Sequence, residues 1–95
     1  MANKNKYKVV LRGKEVEIIY RQTREDEIGA CLFSDNKIII SPNFEGKDLL
    51  DIELHEALHM CLPDMVEDVI NETAKSLAGM LDILGYKKTK KSSKK

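Results

Sequence analysis

The first part of the chain consists of short apolar runs separated by polar, turn-forming residues, which is the pattern of β-strands joined by short turns. Two runs, KYKVVLR (6–12) and EVEIIYR (15–21), are rich in β-branched and aromatic residues. The Gly-Lys break between them is typical of a hairpin. Because successive residues of a strand point to opposite faces, Val16, Ile18 and Tyr20 are predicted to share one face.

Two shorter apolar runs follow a polar stretch of the chain. They are IGACLF (28–33) and KIIIS (37–41), and the turn-forming residues Ser-Asp-Asn separate them. The sequence therefore predicts about four short strands, which are antiparallel wherever a hairpin connects them.

The spacing of apolar residues then changes to a helical period. A first helix is expected from about Lys47 to about Cys61, where Pro63 prevents its continuation. Its predicted apolar stripe consists of Leu50, Leu54, Ala57, Leu58 and Cys61.

A second helix is expected from about Met65 to Leu84. Asp64 and Glu67 have the spacing of a capping box at its start, and Gly85 suits its C-terminal end. Its predicted apolar stripe consists of Val66, Ile70, Thr73, Leu77, Leu81 and Leu84.

The order of the elements, strands first and helices second, predicts an α+β fold. We expect a small antiparallel or mixed sheet of about four strands, followed by two helices. The chain has 95 residues, of which 42% are hydrophobic, so it suits one small domain, placed here at residues 1–86. Residues 87–95 are rich in lysine and contain no apolar residue, and we expect them to be disordered.

Charge is distributed unevenly, although the formal net charge is zero. Residues 1–14 carry five basic residues and residues 87–95 carry six, so residues 15–86 hold five basic and sixteen acidic residues. The lysine tail offers a possible contact to nucleic acid, but its composition is more typical of a solubilising extension. No apolar run approaches the roughly 20 residues of a membrane span, and the first residues contain no apolar signal core. We therefore expect a cytoplasmic protein with two reduced cysteines and no membrane contact.

Both histidines of the chain lie in the sequence HEALH, which has the HExxH pattern. On a helix, residues four apart differ by about 40° in azimuth, so His55 and His59 can bind one metal ion. Glu56 points elsewhere and is suited to act as a general base. Zn²⁺ is the predicted ion, because it accepts imidazole and carboxylate ligands and can keep one position open for water. The alternative is a chance pair of surface histidines, which the helical context disfavours.

A catalytic zinc site usually has three protein ligands, and the chain has no third histidine. Glu67 is the preferred third ligand, because it lies at the border of the predicted buried face and a short connection returns it to His59. A capping-box role for Glu67 is the competing interpretation. The candidates considered, besides Glu67, are Asp64 as the second choice, Asp68 as the third, Glu72 and Cys61.

The segment 28–86 resembles small metallopeptidases encoded by bacteriophages. The likeness rests on a strand, an HExxH helix, a Pro-Asp turn with acidic residues after it, and a second helix ending in Leu-Gly-Tyr. It implies a minimal zincin-like fold in which His55, His59 and Glu67 bind Zn²⁺, as in gluzincins, and Glu56 is the catalytic base. It also implies the host cytoplasm as the location. Asp68 departs from the pattern, because a second glutamate is expected there.

The predicted activity is hydrolysis of a peptide or protein substrate, with residues 37–41 as an edge strand that aligns the substrate backbone. Tyr20 and Tyr86 are available as donors to an oxyanion but are more typical of packing residues. Two other functions stay open. One is a non-catalytic module stabilised by zinc. The other is a DNA-associated protease, distantly similar to SprT-like enzymes, that is tethered by its basic tail.

Overall fold

The computed structural model describes residues 5–23 and 27–86 and has four strands followed by two helices. The elements are β1 (Lys6–Leu11), β2 (Lys14–Tyr20), β3 (Gly29–Leu32), β4 (Lys37–Ile40), α1 (Gly46–Cys61) and α2 (Glu67–Ile83). A short 3-10 turn, Phe33–Asp35, links β3 to β4. The predicted α+β layout is therefore confirmed. The predicted disordered tail, 87–95, lies outside the described residues.

The four strands form one mixed sheet in the order β1-β2-β4-β3. Both hairpin pairs, β1 with β2 and β3 with β4, are antiparallel as predicted, and β2 runs parallel to β4. The prediction that residues 37–41 form an edge strand is wrong, because β4 lies between β2 and β3. Its three consecutive isoleucines, Ile38, Ile39 and Ile40, are all at most 4% exposed. Burial on both faces is the mark of an interior strand.

The hairpin between β1 and β2 is joined to the end of α1. Arg12 and Gly13 have φ values of 50° and 80°, which suit the primed turns that two-residue hairpins favour. The Arg12 guanidinium donates from Nη1 to the carbonyl oxygen of Cys61 at 2.9 Å. A cation thus satisfies one of the carbonyl groups left without a partner at the C-terminus of the helix.

The core lies between the sheet and α1. Ile18 and Tyr20 pack against it with the fully buried Val16, so the predicted inner face of β2 is confirmed. The Tyr20 hydroxyl donates to Glu53 Oε2 at 2.6 Å, which fixes α1 to the strand end. The buried members of the core cluster are Val16, Ile38, Ile40, Leu49, Ile52 and Met60.

The predicted apolar stripe of α1 is not its most buried line. The five residues of that stripe are only partly buried. Because α1 packs against both the sheet and α2, the residues that it buries most deeply are not those of its predicted apolar stripe. The buried residues of α1 are Leu49, Ile52, Glu56 and Met60.

The second helix begins at Glu67, two residues later than predicted. Val66 is its N-cap, and no side chain among the described residues caps this end of the helix, so the predicted capping box does not form. From the predicted stripe Ile70 is buried, whereas Val66 and Leu84 are exposed. Ala74 and Ala78 are buried instead, because small residues let two helices approach closely. Neither helix in the described part of the chain is long and apolar enough to cross a membrane.

Candidate metal centre

A short connection brings the start of α2 back beside the second half of α1. The Leu62 N–H donates to the Leu58 carbonyl at 2.8 Å, and the Met65 N–H donates to the Leu62 carbonyl at 3.0 Å. These bonds close α1 and turn the chain within the five residues 62–66. Glu67, the first residue of α2, is thereby carried to the histidine-bearing face of α1.

His55, His59 and Glu67 converge at this turn. The two histidine Nε2 atoms lie 3.2 Å apart, and the rings meet at an interplanar angle of 67°. Glu67 approaches both rings, with Oε2 3.2 Å from His55 Nε2 and Oε1 3.0 Å from His59 Nε2. The histidine side chains are 20% and 22% exposed and that of Glu67 is 57% exposed, so the cluster opens to solvent on the Glu67 side.

The separations within the cluster suit a zinc ion. Zn²⁺ binds imidazole nitrogen and carboxylate oxygen at about 2.0–2.2 Å, so neighbouring ligand atoms of a tetrahedral site lie about 3.3 Å apart. The nearest pairs in the cluster lie 3.0–3.2 Å apart. One potential ligand atom from each residue lies within 4.8 Å of the others. Two imidazoles and a carboxylate are also a known ligand set of catalytic zinc, so the residues fit this ion.

The other sequence candidates for a third ligand lie outside this cluster. Within residues 5–23 and 27–86, His55, His59 and Glu67 are the group of three found close enough to share a metal ion. Asp64, Asp68 and Glu72 are exposed to solvent, and Cys61 is a partly buried free thiol. The structure therefore places Glu67, the preferred candidate, beside the histidines, and its binding of a metal stays a prediction.

Glu56 lies on the inner side of α1, between the helix and β3. The residue is 7% exposed, and this burial is the main reason why the pKa of its carboxyl group is raised. His55 and His59 lower the pKa, whereas the Glu67 and Glu27 carboxylates raise it further. A buried carboxyl group with a raised pKa beside two imidazoles has the properties of a proton acceptor and donor.

The strand β3 passes Glu56 at Gly29. A Cβ atom on Gly29 would lie 3.0 Å from Glu56 Oε2 and 3.1 Å from its Cγ. Sequence reasoning missed Gly29, although a glycine inside a short strand is a known signal of close approach by another group. Cys31 lies two residues after Gly29 on the same strand. Burial, and to a smaller extent Glu56, raises the pKa of its thiol to about 11, so this thiol is protonated at neutral pH.

Neither tyrosine that the sequence offered as an oxyanion donor joins the cluster. The Tyr20 hydroxyl donates to Glu53 Oε2, and its ring meets that of Tyr7 edge to face. Tyr86 follows the C-terminus of α2, whereas Glu67 opens that 17-residue helix. A helix of this length spans about 25 Å, so Tyr86 is far from the histidines.

Sequence reasoning also missed a cavity of about 210 Å³ beside His55 and Glu56. Asp51 lies in its wall one turn before His55, and Lys75 faces it from α2. Asp51 was detectable from the sequence as the residue four positions before the first histidine. Its pairing with Lys75 depends on how the two helices pack and has no local signal.

Comparison with known protein families, with curated proteins and with solved structures finds no match for this chain. The resemblance to phage-encoded metallopeptidases therefore stays a prediction.

Proposed function

We propose that this protein is a zinc-dependent metallopeptidase. The observation that carries the proposal is the convergence of His55, His59 and Glu67 at separations of 3.0–3.2 Å, with Glu56 buried directly beside them. The site would then contain three side chains to bind the metal and a fourth, Glu56, to transfer protons. An open catalytic zinc site requires this division of roles.

When bound, zinc would polarise the scissile carbonyl and make water acidic enough to attack it near neutral pH. His55, His59 and Glu67 would hold the ion. Glu56 would accept the proton of the attacking water at its carboxylate and donate it to the leaving amine. Burial raises the pKa of Glu56, which makes its carboxylate a stronger proton acceptor than an ordinary glutamate.

The strand that would align a substrate is β3 rather than β4. β3 ends the described sheet, with β4 as its single neighbour, and a Cβ atom added at its Gly29 would lie 3.0 Å from Glu56 Oε2. An extended peptide added to this edge would pair through its backbone and pass the candidate metal centre. The short length of β3, four residues, limits the paired segment to a few residues.

The non-catalytic alternative makes a different structural demand. A purely structural zinc site is closed by four protein ligands. Within the described residues the cluster has three members, and Glu56 is not among them, which supports an open site. The nucleic-acid alternative depends on residues 87–95, which lie outside the described residues, so no observation favours it.

The test is metal content, measured by mass spectrometry on purified wild type and variants. We expect one zinc ion per chain in wild type and in Glu56→Gln, and loss of zinc in His59→Ala and Glu67→Ala. Asp68→Ala is the matched control, because Asp68 is the next acidic residue of the same helical turn but lies outside the cluster. Retention of zinc by Glu67→Ala, or its absence from wild type, would overturn the metal assignment.

Peptidase activity is measured on the same set with unfolded casein, by the release of new amino termini. We expect cleavage by wild type that stops with a zinc chelator and returns with added zinc. Glu56→Gln should hold zinc and lose cleavage by a factor on the order of 10² or more. A zinc-bound wild type that cleaves nothing, or a fully active Glu56→Gln, contradicts the proposed mechanism.

A further inference from the structure

A cavity of about 210 Å³ opens beside the candidate metal centre, between the two helices and the start of β3. His55 and Glu56 form part of its wall, so a group in the cavity lies beside one proposed zinc ligand and the proposed base. Its volume is below the roughly 300–1,000 Å³ of sites that hold whole small molecules. The cavity therefore has the size for one side chain of a larger ligand.

The walls of the cavity combine an apolar slot with polar groups on α1 and α2. Ile28, which directly precedes β3, and Ile52 of α1 supply the apolar surface. Asp51 lies next to Ile52 on α1, and Asn71 and Lys75 lie one turn apart on α2. A side chain with an apolar stem and a polar end matches this combination of apolar and polar walls better than a fully apolar side chain does.

The charged groups of the cavity are unequal in how firmly they are held. The Lys75 Nζ atom lies 3.9 Å from Asp51 Oδ2, which is longer than the roughly 2.7–2.9 Å of a strong charge-assisted hydrogen bond. The Lys75 side chain is 74% exposed, whereas that of Asp51 is 33% exposed. Lys75 can therefore turn into solvent with little loss, while Asp51 stays in the wall.

We propose that this cavity is the specificity pocket of the peptidase and that it takes a lysine or arginine side chain whose cationic end pairs with Asp51. This inference rests on the proposed function for the reaction itself. The aliphatic stem of the substrate residue lies between Ile28 and Ile52, and its cationic group replaces Lys75 as the partner of Asp51. Asp51 is then the residue that determines specificity.

The opposite reading, a pocket for an acidic side chain, is disfavoured by the surrounding charge. An incoming carboxylate would face Asp51 in the wall, with one largely exposed ammonium group in compensation. Lys75 is also the single basic residue of α2, which carries four acidic residues. Residues 15–86, which include every residue of the cavity wall, hold sixteen acidic and five basic residues.

Binding is tested separately from catalysis, so that each proposal can fail alone. Nα-acetyl-lysine methylamide is titrated into ¹⁵N-labelled wild-type protein, and the amide signals of Asn71 and Lys75 are followed. The norleucine analogue lacks the ammonium group, and the glutamate analogue carries the opposite charge. We expect the lysine compound to shift both signals and to bind at least about threefold more tightly than the norleucine compound. The glutamate compound should cause no shift.

The variants Asp51→Asn, Lys75→Gln and Asp48→Asn assign the effect to one residue. Asp51→Asn should reduce lysine binding to the level of norleucine, and Lys75→Gln should leave it equal or stronger. Asp48→Asn is the matched control, because it removes a carboxylate from the exposed first turn of the same helix, outside the cavity wall. The ¹⁵N spectrum reports at the same time whether each variant is folded.

Equal binding of the three compounds, or unchanged lysine binding in folded Asp51→Asn, overturns the pocket assignment whether or not peptides are cleaved. Tighter binding of the glutamate compound that Lys75→Gln abolishes overturns it in favour of acidic substrates. Selective lysine binding without any peptide cleavage supports the pocket and contradicts the peptidase. When cleavage does occur, lysine and arginine should be enriched beside the cleaved bonds of a casein digest, and Asp51→Asn should remove that enrichment.

Discussion

Gly29 of β3 and Glu56 of α1 approach so closely that no larger residue fits at position 29 without movement. A Cβ there would lie 3.0 Å from Glu56 Oε2, 3.1 Å from Glu56 Cγ and 3.3 Å from the Ile39 carbonyl oxygen. The carboxylate would have to give by a few tenths of an ångström within a buried site, and the carbonyl belongs to β4, an interior strand. This contact sets the distance between the candidate base and the sheet edge.

Gly29→Ala should therefore lower the free energy of unfolding by about 1–3 kcal/mol, the usual range for overpacking. Gly79→Ala is the matched control, since nothing lies within 4 Å of a Cβ at that position of α2. There alanine should raise the free energy of unfolding by about 0.5–1 kcal/mol, through its better helix propensity. Denaturant unfolding followed by circular dichroism measures both. Equal effects of the two substitutions would mean that the approach of β3 to Glu56 is not tight.

Glu56→Gln should stabilise the metal-free protein at neutral pH. Burial raises the pKa of Glu56 in the folded state, so the native state holds a proton that the unfolded chain releases above its own pKa. Stability then falls as pH rises above the unfolded value, and glutamine, which cannot ionise, removes this loss. The gain should be about 0.5–2 kcal/mol at pH 7, the range that single stabilising substitutions commonly give.

The pH dependence of that gain distinguishes ionisation from packing. Below the unfolded pKa of a glutamate, about 4.3, both states of the wild type are protonated, so the advantage of glutamine should vanish. Thermal unfolding of wild type and Glu56→Gln between pH 4 and pH 8, in the presence of a chelator, makes the comparison. An advantage that stays constant over this range would show that ionisation of Glu56 is not its cause.

Zinc should raise the unfolding temperature of wild type. An ion that binds only the folded state stabilises it by about 2.7 kcal/mol at a hundredfold excess over the dissociation constant. For a domain of this size that corresponds to a rise on the order of 10 °C. His59→Ala should show no such rise, whereas Asp68→Ala should keep it. Differential scanning fluorimetry with and without zinc measures the shifts, and an equal rise in wild type and His59→Ala would speak against the cluster as the binding site.

Removal of the Arg12 guanidinium should weaken the junction between the first hairpin and α1. Arg12→Met keeps the aliphatic stem but leaves the Cys61 carbonyl without its donor, which should cost about 0.5–1.5 kcal/mol of stability. Lys14→Met removes a positive charge from an exposed residue of the same hairpin, and its effect should be close to zero. Urea unfolding of both variants is the measurement. If Lys14→Met cost as much as Arg12→Met, the loss would come from net charge and not from this hydrogen bond.

The sequence determined the elements and the pair of histidines. Strand periodicity, the hairpin breaks, Pro63 and Gly85 act through local backbone preferences, so the four strands and two helices could be predicted to within a few residues. HExxH fixes the relation of His55 and His59 because the helix itself sets their spacing. Glu67 was predictable as a neighbour because only five residues, 62–66, separate the two helices.

Only the tertiary structure decided what surrounds those residues. The sequence patterns gave β4 the wrong position and α1 the wrong inner face, because strand order and helix docking depend on contacts between distant parts of the chain. Burial of Glu56, the approach of Gly29 and the pairing of Asp51 with Lys75 arise from that docking. The physical reason is that a pattern records which side of an element is apolar, whereas packing decides which other element covers it.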